Sequence, residues 1–167
     1  MFLPDVLAGR SIAVAMAAAT PLAEAVADAA GRAGAVVVLC GPDVERLDEL
    51  AWDLAERRDA PVEIVAWDGV DPGAGLRAAL DDAGHGDAAL VLLGGTRWDA
   101  AAAAAWQRTA PVVVIAPAGD AAAGPAAGSA CVLVVAPDAV PEHLGAWAAF
   151  LLSPAGGGAA GQVIHLM

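Results

Sequence analysis

The sequence predicts an α/β fold: a single three-layer domain over residues 1–167, with helices on both sides of a mostly parallel sheet of about seven strands. Three observations carry this. Short β-branched apolar runs alternate with stretches of 3.6-residue apolar periodicity, as in a parallel sheet with crossover helices. Several of those runs are apolar almost without interruption, which suits strands buried on both faces. The length, 167 residues, fits one domain with a real core, and no linker or internal repeat divides it.

The elements follow in order. The first strand is expected at residues 11–16. Leu22, Val26, Ala29, Ala30 and Ala33 then share a helical face, with Pro21 opening the helix and Gly34 ending it. Residues 35–40 form the second strand. Asp43 caps a helix whose Val44, Leu47, Leu50, Ala51 and Leu54 make the apolar face. Acids sit in its first turns and Arg57 and Arg58 at its end, as the helix dipole favours. The third strand spans residues 62–67. Asp71 caps the next helix, with Pro72 in its first position and Leu76, Ala79, Leu80 and Ala83 facing inward. The fourth strand covers residues 87–93.

The second half is compressed, and the fold is shortened in the region of the fourth and fifth helices. Residues 97–107 carry six consecutive alanines and two tryptophans and read as a helix. Strands are expected at residues 111–115, 130–136 and 162–166, with a helix at 141–152. Residues 120–128 and 155–160 are too rich in small residues for either and read as loops.

Composition removes several function classes. Twenty acids against eight bases give a net charge of −12, which argues against nucleic-acid and anionic-membrane partners. Much of the 59% hydrophobic content is alanine, at 46 positions, and no apolar run reaches the ~18 residues of a membrane span. Every base is arginine; the chain has no tyrosine, lysine or asparagine, and serine occurs only at Ser11, Ser129 and Ser153. Cys40 and Cys131 lie at or beside the ends of apolar runs and read as buried free thiols. Residues 11–19 fit a strand leading into a helix better than a signal peptide, and Asp5 opposes the latter. The expected location is cytoplasmic.

Several phrases, in their order and spacing, resemble the short-chain dehydrogenase/reductase family. They are LAGRSIAVAM (7–16), GAVVVLCGPDVERLDELAWDL (34–54), VEIVAWDGVDP (62–72), GHGDAALVLLGG (84–95) and the segment from Cys131 to Leu166. The resemblance implies a Rossmann-like domain, and its departures carry as much information as its matches. The family's Thr-Gly-x-x-x-Gly-x-Gly turn lets the backbone approach a dinucleotide pyrophosphate; its glycine positions fall here near Met16, Thr20 and Leu22. Its Asn-Asn-Ala-Gly appears as Leu92-Leu93-Gly94-Gly95, while Asp68 matches the acid beside the adenine ring. The family's Tyr-x-x-x-Lys helix lies between the fifth and sixth strands, where Ile115 and Cys131 leave it no room. Its serine position reads Ala116-Pro117. With no phenol to donate a proton and no lysine to lower its pKa, the expectation is a degenerate, truncated member: no enzyme by itself, without cofactor.

Other chemistry finds little support. His85 reads as an exposed turn residue, His143 as a surface residue in a helical first turn, and His165 as a sheet-edge or interface residue. No metal-ligand spacing appears, and no serine sits in Gly-x-Ser-x-Gly. Asp68 with Asp71, and Asp81 with Asp82, are explained as helix-end acids. The glycines at 156–158 and 161 read as a flexible connection, not a phosphate cradle. Gly94, Gly95 and Thr96 stand where open α/β sheets bind ligands.

The last helix is apolar nearly all round. Leu144, Trp147, Ala148 and Leu151 make one stripe, and Ala146, Ala149, Phe150 and Leu152 widen it. The resemblance implies that this helix and the last strand form a dimer interface. Contact is therefore expected through Trp147, Phe150, Leu151, Gln162, Val163, Ile164 and His165. The expected role is an accessory subunit that joins an intact short-chain dehydrogenase/reductase subunit and supports its stability or substrate site. Two alternatives stand beside it: a homodimer serving as scaffold or small-molecule-binding module, and an enzyme of another reaction class using the cleft above Gly94 with acids such as Asp99 or Asp120.

Overall fold

The computed structural model describes residues 5–58, 62–94, 96–106, 110–118, 130–159 and 161–166. Seven strands form one sheet: β1 (Ser11–Ala15), β2 (Val36–Gly41), β3 (Val62–Ala66), β4 (Ala89–Leu93), β5 (Val112–Pro117), β6 (Ala130–Val135) and β7 (Val163–Leu166). Their order is β3-β2-β1-β4-β5-β6-β7, and every neighbouring pair is parallel. Five α-helices are described: α1 (Pro21–Arg32), α2 (Val44–Arg58), α3 (Ala74–Asp82), α4 (Ala100–Trp106) and α5 (Pro141–Leu152). None is long and apolar enough to cross a membrane, among the described residues.

Alternation along the strands sorts the core into two layers. Ile12, Val14, Val37, Leu39, Val91, Ile115 and Leu133 face α1, α2 and α5. Ala13, Ala15, Val38, Cys40, Leu90, Leu92 and Val114 face α3 and α4, with Trp67, Trp98 and Trp106. Covering both faces is why the strands read as unbroken apolar runs.

Local chemistry ends the helices where the sequence says. Thr20 Oγ1 accepts from the Ala23 amide at 3.2 Å, with Pro21 in the first helical position of α1. At the other end Gly34 takes φ +89°, the left-handed conformation that stops the helix, and the Ala35 amide returns to the Ala30 carbonyl. Asp43 Oδ1 accepts from the Arg46 amide at 3.1 Å and caps α2. At the end of α5, Ser153 Oγ donates to the Phe150 carbonyl at 2.6 Å, and Arg10 reaches the Leu152 carbonyl.

Four local expectations are corrected. Val44 is solvent-exposed, because the buried face of α2 starts one turn later at Leu47. Asp71 and Pro72 precede α3 by a turn: the Asp71 carboxylate accepts from the Gly73 and Gly75 amides, both at 2.9 Å, and the helix begins at Ala74. The fourth helix is shorter than expected, since Asp99 caps it by accepting from the Ala101 and Ala102 amides. Residues Pro154–Ala159 form a 3-10 helix instead of a loose connection, packed so closely on the end of α5 that a side chain at Gly156 would meet the Phe150 carbonyl and the Leu151 backbone. The expected loop at 120–128 lies outside the described residues.

The tightest helix contact is α1 against α5. A Cβ at Gly145 would stand 2.6 Å from the Ala25 carbonyl oxygen and 3.0 Å from Ala29 Cβ. Both partners are rigid, so a larger residue must push the helices apart. Gly145→Val is expected to destabilise the fold by about 1–3 kcal/mol in urea denaturation. Gly31, inside α1, has only Val37 near its missing Cβ, at 3.9 Å. Gly31→Ala is therefore expected to stabilise by about 0.5–1 kcal/mol in the same measurement.

Candidate functional site

Two regions carry functional potential: a cleft at the C-terminal ends of the strands, and the outer face of α5 with β7. The cleft, about 390 Å³, lies above β4, β5 and β6 between the N-termini of α1 and α5. The neighbouring β1 and β4 leave in opposite directions across the sheet, which makes this the crevice where open α/β sheets bind ligands. Leu93, Gly94, Ile115, Ala116 and Val135 form its floor; Thr20, Pro21 and Leu22 form one wall and Pro141 and Leu144 another. A Cβ at Gly94 would stand 3.0 Å from Pro117 Cδ, a tight contact that a larger residue would press against the proline ring.

The three positions that resemble the dinucleotide glycines have definite occupations. Met16 is buried in the core, its carbonyl so near β2 that a Cβ at Gly41 would be 2.9 Å away. Thr20 caps α1, and the Leu22 side chain lines the cleft. Asp68 accepts from the Val70 amide at 2.9 Å in a local turn, with Gly69 at φ +78°. Of the acids weighed for other chemistry, Asp99 is the cap of α4 and does not line the cleft. Asp120 and Gly95 lie outside the described residues. In the turn after Gly94, Thr96 Oγ1 and Trp98 Nε1 are buried without a hydrogen-bond partner among the described residues.

The second region gathers residues far apart in sequence. Trp147 and Phe150 are 42% and 47% exposed on α5 and pack edge to face, centroids 6.1 Å apart. β7 is the end strand of the sheet, with Val163 and His165 exposed and Ile164 and Leu166 turned to the α5 side. Gln162, just before it, is exposed. A groove of about 320 Å³ brings His165 together with His143, Trp147 and Asp138. Leu151, by contrast, is 4% exposed and belongs to the core of its own chain, so the stripe of Leu144, Trp147, Ala148 and Leu151 is not one surface.

Sequence reasoning did not find the grouping of His143 with His165, because 22 positions and a strand crossover separate them and no local spacing marks it. It also misjudged His85, which is largely buried and pairs with Glu63. Among the described residues, no three His, Cys, Asp or Glu side chains come close enough to hold a metal.

No family model matches the chain, and no curated protein matches it. Solved structures do. A short-chain dehydrogenase from Mycobacterium smegmatis superposes with a TM-score of 0.70 at 21% identity, covering 98% of this chain and 93% of that one. A short-chain dehydrogenase/reductase of the glucose/ribitol dehydrogenase type from Brucella melitensis gives 0.71 at 15% identity, covering 98% and 97%. L-sorbose reductase from Gluconobacter frateurii, in complex with NADPH and L-sorbose, gives 0.69 at 18% identity, covering 97% of each chain.

At these identities the likeness shows the fold: this chain has the short-chain dehydrogenase/reductase fold. It also corrects one expectation from the sequence. The chain was expected to be no enzyme by itself, yet the structures it matches over nearly its whole length are oxidoreductases, and that expectation does not stand. Missing motifs could not settle that point, because a fold keeps its frame while the groups that act on it change.

Both cysteines are buried and unpaired, as expected. Burial pushes the Cys40 thiol from its ordinary 9.0 up to about 12, and pushes Cys131 upward as well. The unfolded chain then releases these protons at lower pH than the folded chain. The thiols' contribution to stability is complete below pH 9.0 and is lost as pH rises toward about 12. Denaturation midpoints measured across that window should fall, and Cys40→Ala should flatten the part of the decline due to Cys40.

Proposed function

We propose that this chain is a subunit of a short-chain dehydrogenase/reductase-type oxidoreductase, and that it docks through α5 and β7 onto an intact subunit of the same fold. The carrying observation is the exposed Trp147–Phe150 pair beside the open edge of β7. Two large aromatics held edge to face by each other, next to a groove and a strand edge with no neighbouring strand among the described residues, are typical of interface anchors. Gln162, Val163, Ile164 and His165 extend the surface along the edge, and Leu151 supports it from beneath.

Composition supports the same reading. The tyrosine and lysine that the family resemblance calls for are absent from this sequence. Only twelve residues join β5 to β6, 118–129, close to the minimum for a parallel crossover. In this reading the chain supports the partner's stability or substrate site. A net charge of −12 disfavours pairing with a second copy and favours a less acidic partner.

The test is native mass spectrometry of the tagged chain after co-expression with its genomic neighbours. A fixed ratio with an intact subunit is expected. Phe150→Glu and Trp147→Glu should each weaken the complex by about thirtyfold or more, as loss of an anchor worth about 2 kcal/mol requires. A homodimer alone, or a complex indifferent to both substitutions, overturns the assignment.

A further inference from the structure

We infer that the strand-end cleft of this chain takes a neutral, largely apolar small molecule, and that it does not take the dinucleotide which this fold implies. The inference rests on what lines the cleft and is independent of docking at α5 and β7.

A pyrophosphate at a helix N-terminus needs free backbone amides, close backbone approach and a favourable field. The start of α1 offers little of this. Pro21 has no N–H, the Ala23 amide is taken by Thr20 Oγ1, and the Glu24 amide by the Thr20 carbonyl. Leu22 places a branched side chain in the approach, where the family resemblance implies glycine. On the far side Pro117, Pro137 and Pro141 also line the cleft, so four of its lining residues can donate no backbone hydrogen bond. Among the described residues no charged side chain lines it, and the chain's charge of −12 repels a further dianion.

The same features suit another ligand. Leu22, Leu93, Ile115 and Leu144 offer apolar contact within a volume of about 390 Å³, inside the range of about 300–1,000 Å³ common for small-molecule pockets. Among the described lining residues one polar side chain remains. Thr20 Oγ1 accepts from Ala23, which leaves its own proton free to donate to a ligand oxygen. The ligand class is a neutral hydrocarbon-rich molecule bearing one acceptor, such as a carbonyl.

The neutral naphthyl ketone prodan, whose emission shifts to the blue in apolar surroundings, is a suitable probe. Saturable one-site binding is expected, undiminished by excess NADPH. On the unaltered chain, the methyl NMR signals of Leu22, Leu93, Ile115 and Leu144 should move, while those of Leu76 and Leu80 on the other face should not. Ala18→Trp and Ala136→Phe fill the cleft from its rim and should each weaken binding by about tenfold or more; Phe150→Glu, outside it, should leave binding unchanged. Displacement of prodan by NADPH, shifts spread over both faces, or binding that no filling variant reduces overturns the inference. Because Phe150→Glu separates the two sites, failure here leaves the docking surface standing, and the reverse.

Discussion

Gly145 lets α5 lie against Ala25 and Ala29 of α1 at a distance no side chain would allow. Much of the functional half of the molecule follows from that contact. With α5 drawn down onto α1, Leu144, Ala148, Leu151 and Leu152 enter the core, and Trp147 and Phe150 are turned outward. The N-terminal ends of both helices then converge over β4 to β6, and the space left between them is the cleft. One missing Cβ thus sets the depth of a wall and the outward face of a helix together.

The two regions differ in what they can recognise. The cleft is walled by aliphatic and proline side chains, so its selectivity comes from shape and from one hydroxyl proton. The α5–β7 surface has aromatic area, an open strand edge and two histidines near an acid, a mixture that suits a protein partner with both apolar and polar contacts. They share Ala139 and Leu144, which line both, so the two regions meet at these residues. The oxidoreductase fold supplies the frame for each without dictating what either binds.

Much of the architecture was legible because its signals are local. Proline at the start of α1, Asp43 before α2 and Gly34 after α1 act within a few residues of themselves, and the structure keeps each in its expected role. Where local reading failed, a longer reach was responsible. Asp71 looked like an adjacent cap but satisfies amides two and four residues on. Glycines at 156–158 looked flexible, yet the end of α5 holds them in a 3-10 helix. His85 looked exposed because its partner, Glu63, sits on β3, 22 positions away from the turn that carries the histidine.

The sequence by itself determined the fold class, the seven strands and the burial of both cysteines, since apolar periodicity records which side of each element meets the core. It also determined that the chain has neither tyrosine nor lysine, which is a matter of counting. Tertiary structure alone decided which aromatics face outward, that Leu151 does not, and that prolines from four segments line one cleft. A helix apolar on every side carries no record of its own rotation. Only the packing of Gly145 against α1 selects one, because it depends on atoms more than a hundred residues away.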